Sequence, residues 1–111
     1  NTMLREISQQ HWNDANGRPA GGSSYGCGFA ISWQNGPIRA FEGEPSANKP
    51  NGAFVEDVLA AVIGRMEFYQ ASEFACTENA YALESLKRAA DWLDRRTKDR
   101  QTRGVEGTYA V

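Results

Sequence analysis

The sequence of 111 residues contains a single histidine and only two cysteines. His11 alone is a poor basis for a histidine-based catalytic triad or a histidine-ligated metal centre. Cys27 and Cys76 lie far apart without Cys-x-x-Cys spacing, which argues against a disulfide scaffold and fits a reducing cytoplasm. We therefore expect a protein without a metal ion and without a cofactor.

Long apolar runs, phosphate-binding motifs and a strong net charge are missing as well. No run is long enough to cross a membrane, and no Gly-Lys-Ser/Thr follows the glycines of residues 21–28, which excludes an ordinary P-loop. The net charge is −2, whereas proteins that coat nucleic acid usually carry a basic domain, so we expect no DNA partner. No pair of carboxylates stands out for acid–base catalysis, and the sequence favours binding over an enzyme.

The first half of the chain predicts a small β structure. Residues 1–20 are polar and weakly patterned, with a turn signal at residues 14–17, and we treat residues 1–24 as an extension. Large and small side chains then alternate strictly from residue 25 to 33, which predicts one strand with one buried face. The hairpin signal Asn35-Gly36 follows, so we predict a β-hairpin over residues 25–42.

The second half predicts a helical hairpin over residues 51–104. Asn51 is a candidate cap for the first helix and Thr77 for the second, which extends for about 26 residues, or about 40 Å, and ends at Gly104. A close approach of another backbone is one possible reason for Gly64 within the first helix. The short connection makes the two helices antiparallel.

These patterns together define the expected fold class as α+β, with a small N-terminal antiparallel β-sheet followed by a long antiparallel two-helix hairpin. The length favours a single domain over residues 1–111, with residues 104–111 as a tail. A helix this long is only partly covered by one small sheet and one other helix. Its far end either projects into solvent or packs in a homo-oligomer, and we expect the oligomer.

Charges along the second helix divide into two groups. Most arginines have an acidic partner four residues earlier, which is typical of a solvated helix surface. The pairs are Glu84–Arg88, Asp91–Arg95 and Asp99–Arg103. Arg96 and Arg100 are instead each other's neighbours at that spacing, so they either tolerate repulsion in solvent or bind an anion, and arginine suits phosphate oxygens.

Three further residues are candidates for the same ligand. Arg65 and Tyr69 lie near the end of the first helix, where an aromatic ring either stacks on a nucleobase or belongs to the core. Asn79 lies in the first turn of the second helix, where its amide either reads the edge of adenine or is ordinary polarity at a helix start.

The order of motifs from about residue 29 to the end resembles a known family, the phage Thoeris anti-defence sponge proteins of the first type. The closing string is shared with the related anti-CBASS sponge proteins, whereas the first motif favours the Thoeris type. The motifs are Gln34-Asn35-Gly36-Pro37-Ile38, Asn51-Gly52, Glu78-Asn79-Ala80, Trp92-Leu93-x-x-Arg96-Thr97 and Arg103-Gly104-Val105-Glu106-Gly107-Thr108.

This resemblance implies a phage protein of the host bacterial cytoplasm that sequesters glycocyclic ADP-ribose, a cyclic ADP-ribose isomer, without cleaving it. It implies a homo-oligomer, a hexamer in some members, and a pocket shared by two subunits. The residues that match this pocket are Arg65, Tyr69, Asn79, Arg96 and Arg100. A second site, for cyclic di- or trinucleotides, would involve Arg103, Glu106 and Thr108.

Three other functions remain as alternatives. The protein could bind cyclic oligonucleotides alone and act only against CBASS, or it could be an enzyme that cleaves the cyclic nucleotide. It could also be a DNA-binding helical module, for which the compact basic cluster and the negative net charge predict poor affinity at physiological salt.

Overall fold

A computed structural model of the chain describes residues 6–36 and 50–104. These residues form a three-stranded antiparallel sheet followed by two helices, which confirms the predicted α+β class. They fall into two compact units, one that contains the sheet and continues to Phe54 and one that contains both helices from Val55 to Gly104.

The sheet has the strand order β1-β2-β3 and uses much of the segment that the sequence left as an extension. The strands are β1 (Ser8–Asn13), β2 (Pro19–Gly26) and β3 (Phe29–Trp33). β1 is almost wholly polar, so no apolar alternation marks it as a strand. It is attached to β2 through the backbone ladder and through side-chain hydrogen bonds.

Those side-chain hydrogen bonds run across one face of the sheet. Trp33 Nε1 donates to Ser24 Oγ at 2.8 Å, and Ser24 Oγ donates to Gln9 Oε1 at 3.0 Å. Ser24 is only 3% exposed, so its hydroxyl needs both partners to offset the loss of water. One polar chain therefore ties all three strands together.

The turn predicted at residues 14–17 is confirmed. Asp14 Oδ1 accepts hydrogen bonds from the backbone N–H groups of Asn16 and Arg18, at 2.8 and 3.1 Å. Gly17 has a φ of +78°, a left-handed conformation that glycine adopts without steric cost. The turn connects β1 to β2.

The single strand predicted over residues 25–33 is wrong, because a two-residue turn at Cys27-Gly28 divides it. Gly28 has a φ of +89°, which permits the turn. Tyr25 pairs with Ala30 across the turn, and Phe29 pairs with Gly26. The large side chains consequently do not share one face. The end of the predicted β-hairpin, residues 37–42, lies outside the described residues.

Asn51 does not cap a helix, as the sequence suggested, but connects two segments of the sheet unit. Its Oδ1 accepts from the Asn35 backbone N–H at 2.8 Å, and its own backbone N–H donates to Gln34 Oε1 at 2.8 Å. Next to this contact, the Ala53 N–H donates to the Ser32 carbonyl at 2.7 Å. These bonds hold the chain on both sides of residues 37–49 together.

Gly52 is the position of the sheet unit at which a side chain should be most damaging. A Cβ there would lie 2.6 Å from the backbone carbonyl of Trp33 and 2.7 Å from that of Ser32. We expect Gly52→Ala to lower the free energy of unfolding by about 1–3 kcal/mol, because rigid backbone must move. Urea denaturation followed by circular dichroism measures this change.

Gly64→Ala is the matched control for that substitution. Gly64 lies inside the first helix, where an added Cβ meets nothing within 4 Å, so none of the described residues makes the close backbone approach expected from the sequence. Alanine there should raise the free energy of unfolding by about 1 kcal/mol. Equal stability of Gly52→Ala and the parent would contradict the tight packing at Gly52.

The helical unit consists of α1 (Val55–Gln70) and α2 (Thr77–Thr102), which form the predicted antiparallel hairpin. The cap of α2 is Cys76 instead of Thr77, because the Cys76 Sγ accepts from the Asn79 backbone N–H at 3.4 Å. The predicted end of α2 is confirmed, with Gly104 just after the cap at a φ of +72°.

The helices differ in length, so the shorter helix α1 can cover only part of the surface of α2. α1 has 16 residues and α2 has 26, so at about 1.5 Å per residue α2 is about 15 Å longer. Within the described residues no hydrophobic side chain is fully buried. Four aromatic side chains of the helical unit are 61–68% exposed, namely Phe68, Phe74, Tyr81 and Trp92.

Candidate functional site

Arg65 and Tyr69, which the sequence proposed as site residues, lie together with Phe68 on the last turns of α1. The Arg65 Cζ lies 4.9 Å from the centre of the Tyr69 ring and 5.1 Å from that of Phe68. Arg65 Nε also donates to the Tyr69 hydroxyl at 3.2 Å. Spacings of three and four residues on a helix bring these side chains onto one surface. The result is an exposed cationic and aromatic surface.

Asn79 is linked to Tyr69 through the loop between the helices. Ser72 Oγ donates to the Tyr69 carbonyl at 2.6 Å and accepts from the Phe74 N–H at 3.1 Å. Asn79 Nδ2 in turn donates to the Phe74 carbonyl at 3.4 Å. This chain of hydrogen bonds fixes both predicted residues at the same end of the hairpin, which we call the loop end.

The residues that build this loop could not be recognised in the sequence. The Gln70 side chain accepts from the Cys76 N–H at 3.0 Å and donates to the Cys76 carbonyl at 3.2 Å, so it closes the loop from α1 to α2. A glutamine at a helix end and a serine two residues beyond it are weak signals, because polar residues are common in every loop. Only the fold shows that Gln70 is hydrogen-bonded to Cys76 and that Ser72 is hydrogen-bonded to the backbone on either side of it.

Arg96 and Arg100 lie at the opposite end of α2, which we call the arginine end. Arg96 is exposed and forms no ion pair among the described residues. Arg100 is only 7% exposed and makes contacts within the chain, so it is not the unpartnered cation that the spacing suggested. The two predicted arginines therefore have different environments.

Two of the three predicted surface pairs on α2 are confirmed. Arg88 binds Glu84 at 3.0 Å and Arg103 binds Asp99 at 3.1 Å, both four residues apart. The third predicted pair, Asp91–Arg95, is wrong, because it is not among the ion pairs of the described residues. The Arg95 Cζ lies 4.9 Å from the centre of the Trp92 ring instead. The aromatic ring offers a nearby cation–π contact that competes with a solvated ion pair.

Lys98 and Asp94 form one more surface pair, at 2.8 Å. The hydrogen bond from Asp94, followed by its negative charge, raises the pKa of Lys98 above its usual value. Lys98 is charged at neutral pH, as an ordinary lysine also is. It adds to the positive charge at the arginine end, although Asp94 neutralises it locally.

The predicted site is divided between the two ends of the hairpin. Asn79 and Arg96 are 17 positions apart on one continuous helix, which separates them by about 26 Å. A mononucleotide-sized ligand does not span that distance, so Asn79 and Arg96 of one chain cannot bind the same ligand. We call the two groups of predicted residues, one at the loop end and one at the arginine end, candidate half-sites.

The groove beside the helices does not contain the predicted residues. It has a volume of about 480 Å³ and is lined by residues that include Gln70, Leu83, Glu84 and Lys87. Lys87 also reaches across to Glu67 of α1 at 3.6 Å. Charges of both signs line this groove, so a free phosphate group gains little there.

The remaining predictions concern the second ligand site, membrane-spanning helices and metal ligands. Arg103 caps α2, while Glu106 and Thr108 lie outside the described residues, so the second site stays a prediction. None of the described helices is long and apolar enough to cross a membrane. In the described ranges, no three His, Cys, Asp or Glu side chains cluster as metal ligands would.

A short antiparallel sheet followed by a two-helix hairpin with polar groups at both ends defines a small α+β protein with a helical-hairpin domain. The chain belongs to the family described as the Acb2/Tad1 hairpin domain, whose family model matches residues 31–98. A curated relative from Bacillus phage SBSphiJ7, named Thoeris anti-defense 1, is 42% identical over 79 residues, which are 71% of this chain. The match covers 51% of that relative, so the chain spans about half of its length.

Proposed function

We propose that this is a phage anti-defence protein that binds and sequesters a cyclic nucleotide immune signal, glycocyclic ADP-ribose, without cleaving it. In this role it blocks Thoeris signalling in the host bacterial cytoplasm. The observation that carries the proposal is the pair of complementary half-sites on one hairpin, an aromatic and amide surface at the loop end and arginines at the other. The name of the phage relative, Thoeris anti-defense 1, supports the anti-defence part of this proposal.

Each half-site has a chemical counterpart in an ADP-ribose isomer. The half-exposed Tyr69 ring can stack on adenine, an interaction of about 1–3 kcal/mol per base. The Asn79 amide can read the adenine edge, because in the described structure its Oδ1 has no hydrogen-bond partner. Arg96 supplies donors suited to the pyrophosphate oxygens, and Arg100 beside it adds positive charge.

A homo-oligomer brings the half-sites together, with the loop end of one chain against the arginine end of another. The exposed aromatic side chains of the helical unit give such an assembly apolar surface to bury. The resemblance of the motifs implies a hexamer. Binding of cyclic di- or trinucleotides near Arg103 belongs to the same proposal, and duplex DNA does not.

Release of the intact ligand is the decisive test of sequestration. We expect the protein to remove glycocyclic ADP-ribose from solution and to return it unchanged after heat denaturation, because the site offers donors and a stacking face for binding. Chromatography of the supernatant with mass detection measures the recovery. Recovery of a cleaved product would show that the protein is an enzyme and not a sponge. If the concentration of free ligand before heating did not fall, binding itself would be contradicted.

Calorimetric titration with cyclic dinucleotides and trinucleotides completes this experiment. Binding of these ligands alone would favour a protein directed only against CBASS. Competition with glycocyclic ADP-ribose would place both ligands in one site, whereas independent binding supports the second site.

A further inference from the structure

The Tyr69 hydroxyl has a fixed role in its hydrogen bond with Arg65. A guanidinium group has five N–H donors and no acceptor, so in the 3.2 Å contact the hydroxyl oxygen can only accept. The hydroxyl proton is then directed elsewhere. Within the residues that the structure describes, this proton has no acceptor.

Arg65 also fixes the ring itself. Its guanidinium carbon lies over both the Tyr69 and the Phe68 rings, whose centres are 6.1 Å apart and whose planes are tilted by 57°. One face of the Tyr69 ring is therefore occupied by the cation, and a stacking base has to use the other face. The same cation makes the region beside the hydroxyl favourable for an anionic acceptor.

We infer that the Tyr69 hydroxyl donates a hydrogen bond to a phosphate oxygen of the bound nucleotide, with Arg65 as the positioning residue that orients it. This inference rests on the proposed function and adds to it. Tyr69 then contacts the ligand in two ways, since its ring stacks on the base and its hydroxyl donates to the phosphate. Arg65 contributes by holding the Tyr69 side chain in the orientation that this hydrogen bond needs. A phenylalanine at position 69 keeps the first interaction and loses the second.

The test is a double-mutant cycle in calorimetry with glycocyclic ADP-ribose. Tyr69→Phe removes only the hydroxyl and should weaken binding by about ten-fold. Arg65→Met removes the orienting donor and should cost about the same. The double variant should lose clearly less than the product of the two single losses, because both changes remove the same oriented hydrogen bond. Arg88→Met, which removes a cation that is paired on α2, is the matched control and should bind like the parent.

Phosphorus NMR of the bound ligand supplies a readout that a purely structural role would not change. The phosphate resonances should shift between the parent and Tyr69→Phe, whereas thermal melting stays the same. Parent-like affinity of Tyr69→Phe, unchanged phosphate resonances, or additive losses of about a hundred-fold in the double variant would each overturn the inference. Failure of the parent to bind the ligand would instead overturn the proposed function together with this inference.

Discussion

Arg96→Ala is expected to weaken the binding of glycocyclic ADP-ribose by about 10- to 100-fold, without changing the fold. A charge-assisted hydrogen bond to phosphate contributes about 1.5–3 kcal/mol, which corresponds to that range of affinity. Arg96 is exposed and forms no ion pair among the described residues, so its loss breaks no ion pair described there. Calorimetric titration and thermal melting of the same preparation separate binding from stability.

Arg88→Ala is the control for this prediction, because Arg88 is an exposed arginine on the same helix that is already paired with Glu84. It should bind like the parent. Arg100→Ala should weaken binding as well, but Arg100 is buried, so a fall in the melting temperature is expected with it. Parent-like titration of both Arg96→Ala and Arg100→Ala would remove the arginine end from the site.

Co-assembly of two variants that each bind weakly is expected to restore parent-like affinity in a fraction of the pockets. Asn79→Ala damages the loop end and Arg96→Ala damages the arginine end, and these lie about 26 Å apart on one helix. If every pocket takes one end from each of two chains, random co-assembly makes about a quarter of the pockets intact. Co-refolding of equal amounts, followed by calorimetric titration, measures this stoichiometry.

The two variants kept separate and then mixed without refolding form the control, since stable oligomers exchange chains slowly. A doubly substituted chain, Asn79→Ala with Arg96→Ala, co-refolded with the parent should also leave about a quarter of the pockets intact. No recovery from the two single variants would show that each pocket is built from one chain. Sedimentation as a monomer at micromolar concentration would lead to the same conclusion.

The helices could be predicted from the sequence because their signals are local. Apolar spacing, acidic residues at the start of α1 and the glycine after α2 each act within one or two turns. The caps were harder to predict, since Cys76 occupies the N-cap position at which Thr77 was expected. The N-cap is the residue whose φ and ψ are not yet helical, and neighbouring residues compete for that position.

The strands could not be predicted in the same way, for two physical reasons. A two-residue turn at Cys27-Gly28 reverses the chain without interrupting the alternation, so one pattern covered two strands. The polar strand β1 is held by hydrogen bonds to Ser24, a residue fifteen positions away, which no local pattern contains. Pairing between distant segments decides both outcomes.

The candidate site was predictable in its parts but not in its arrangement. Helical spacing brought Arg65 and Tyr69 together, as the structure now shows. The contacts of Arg100 and the cation–π contact of Arg95 depend on side chains whose positions the sequence does not specify. The sharing of the pocket between two subunits is implied by the resemblance and stays a proposal, for which the length of α2 is a geometric argument.

For the proposed function, the distance between the candidate half-sites would also affect the timing of infection. A pocket that needs two chains forms in proportion to the square of the concentration of free chains while assembly is incomplete. Scavenging capacity would then remain negligible during the first translation of the phage message and rise steeply once chains accumulate. A virus using such a protein gains from strong early transcription, because half the dose of the protein gives about a quarter of the capacity.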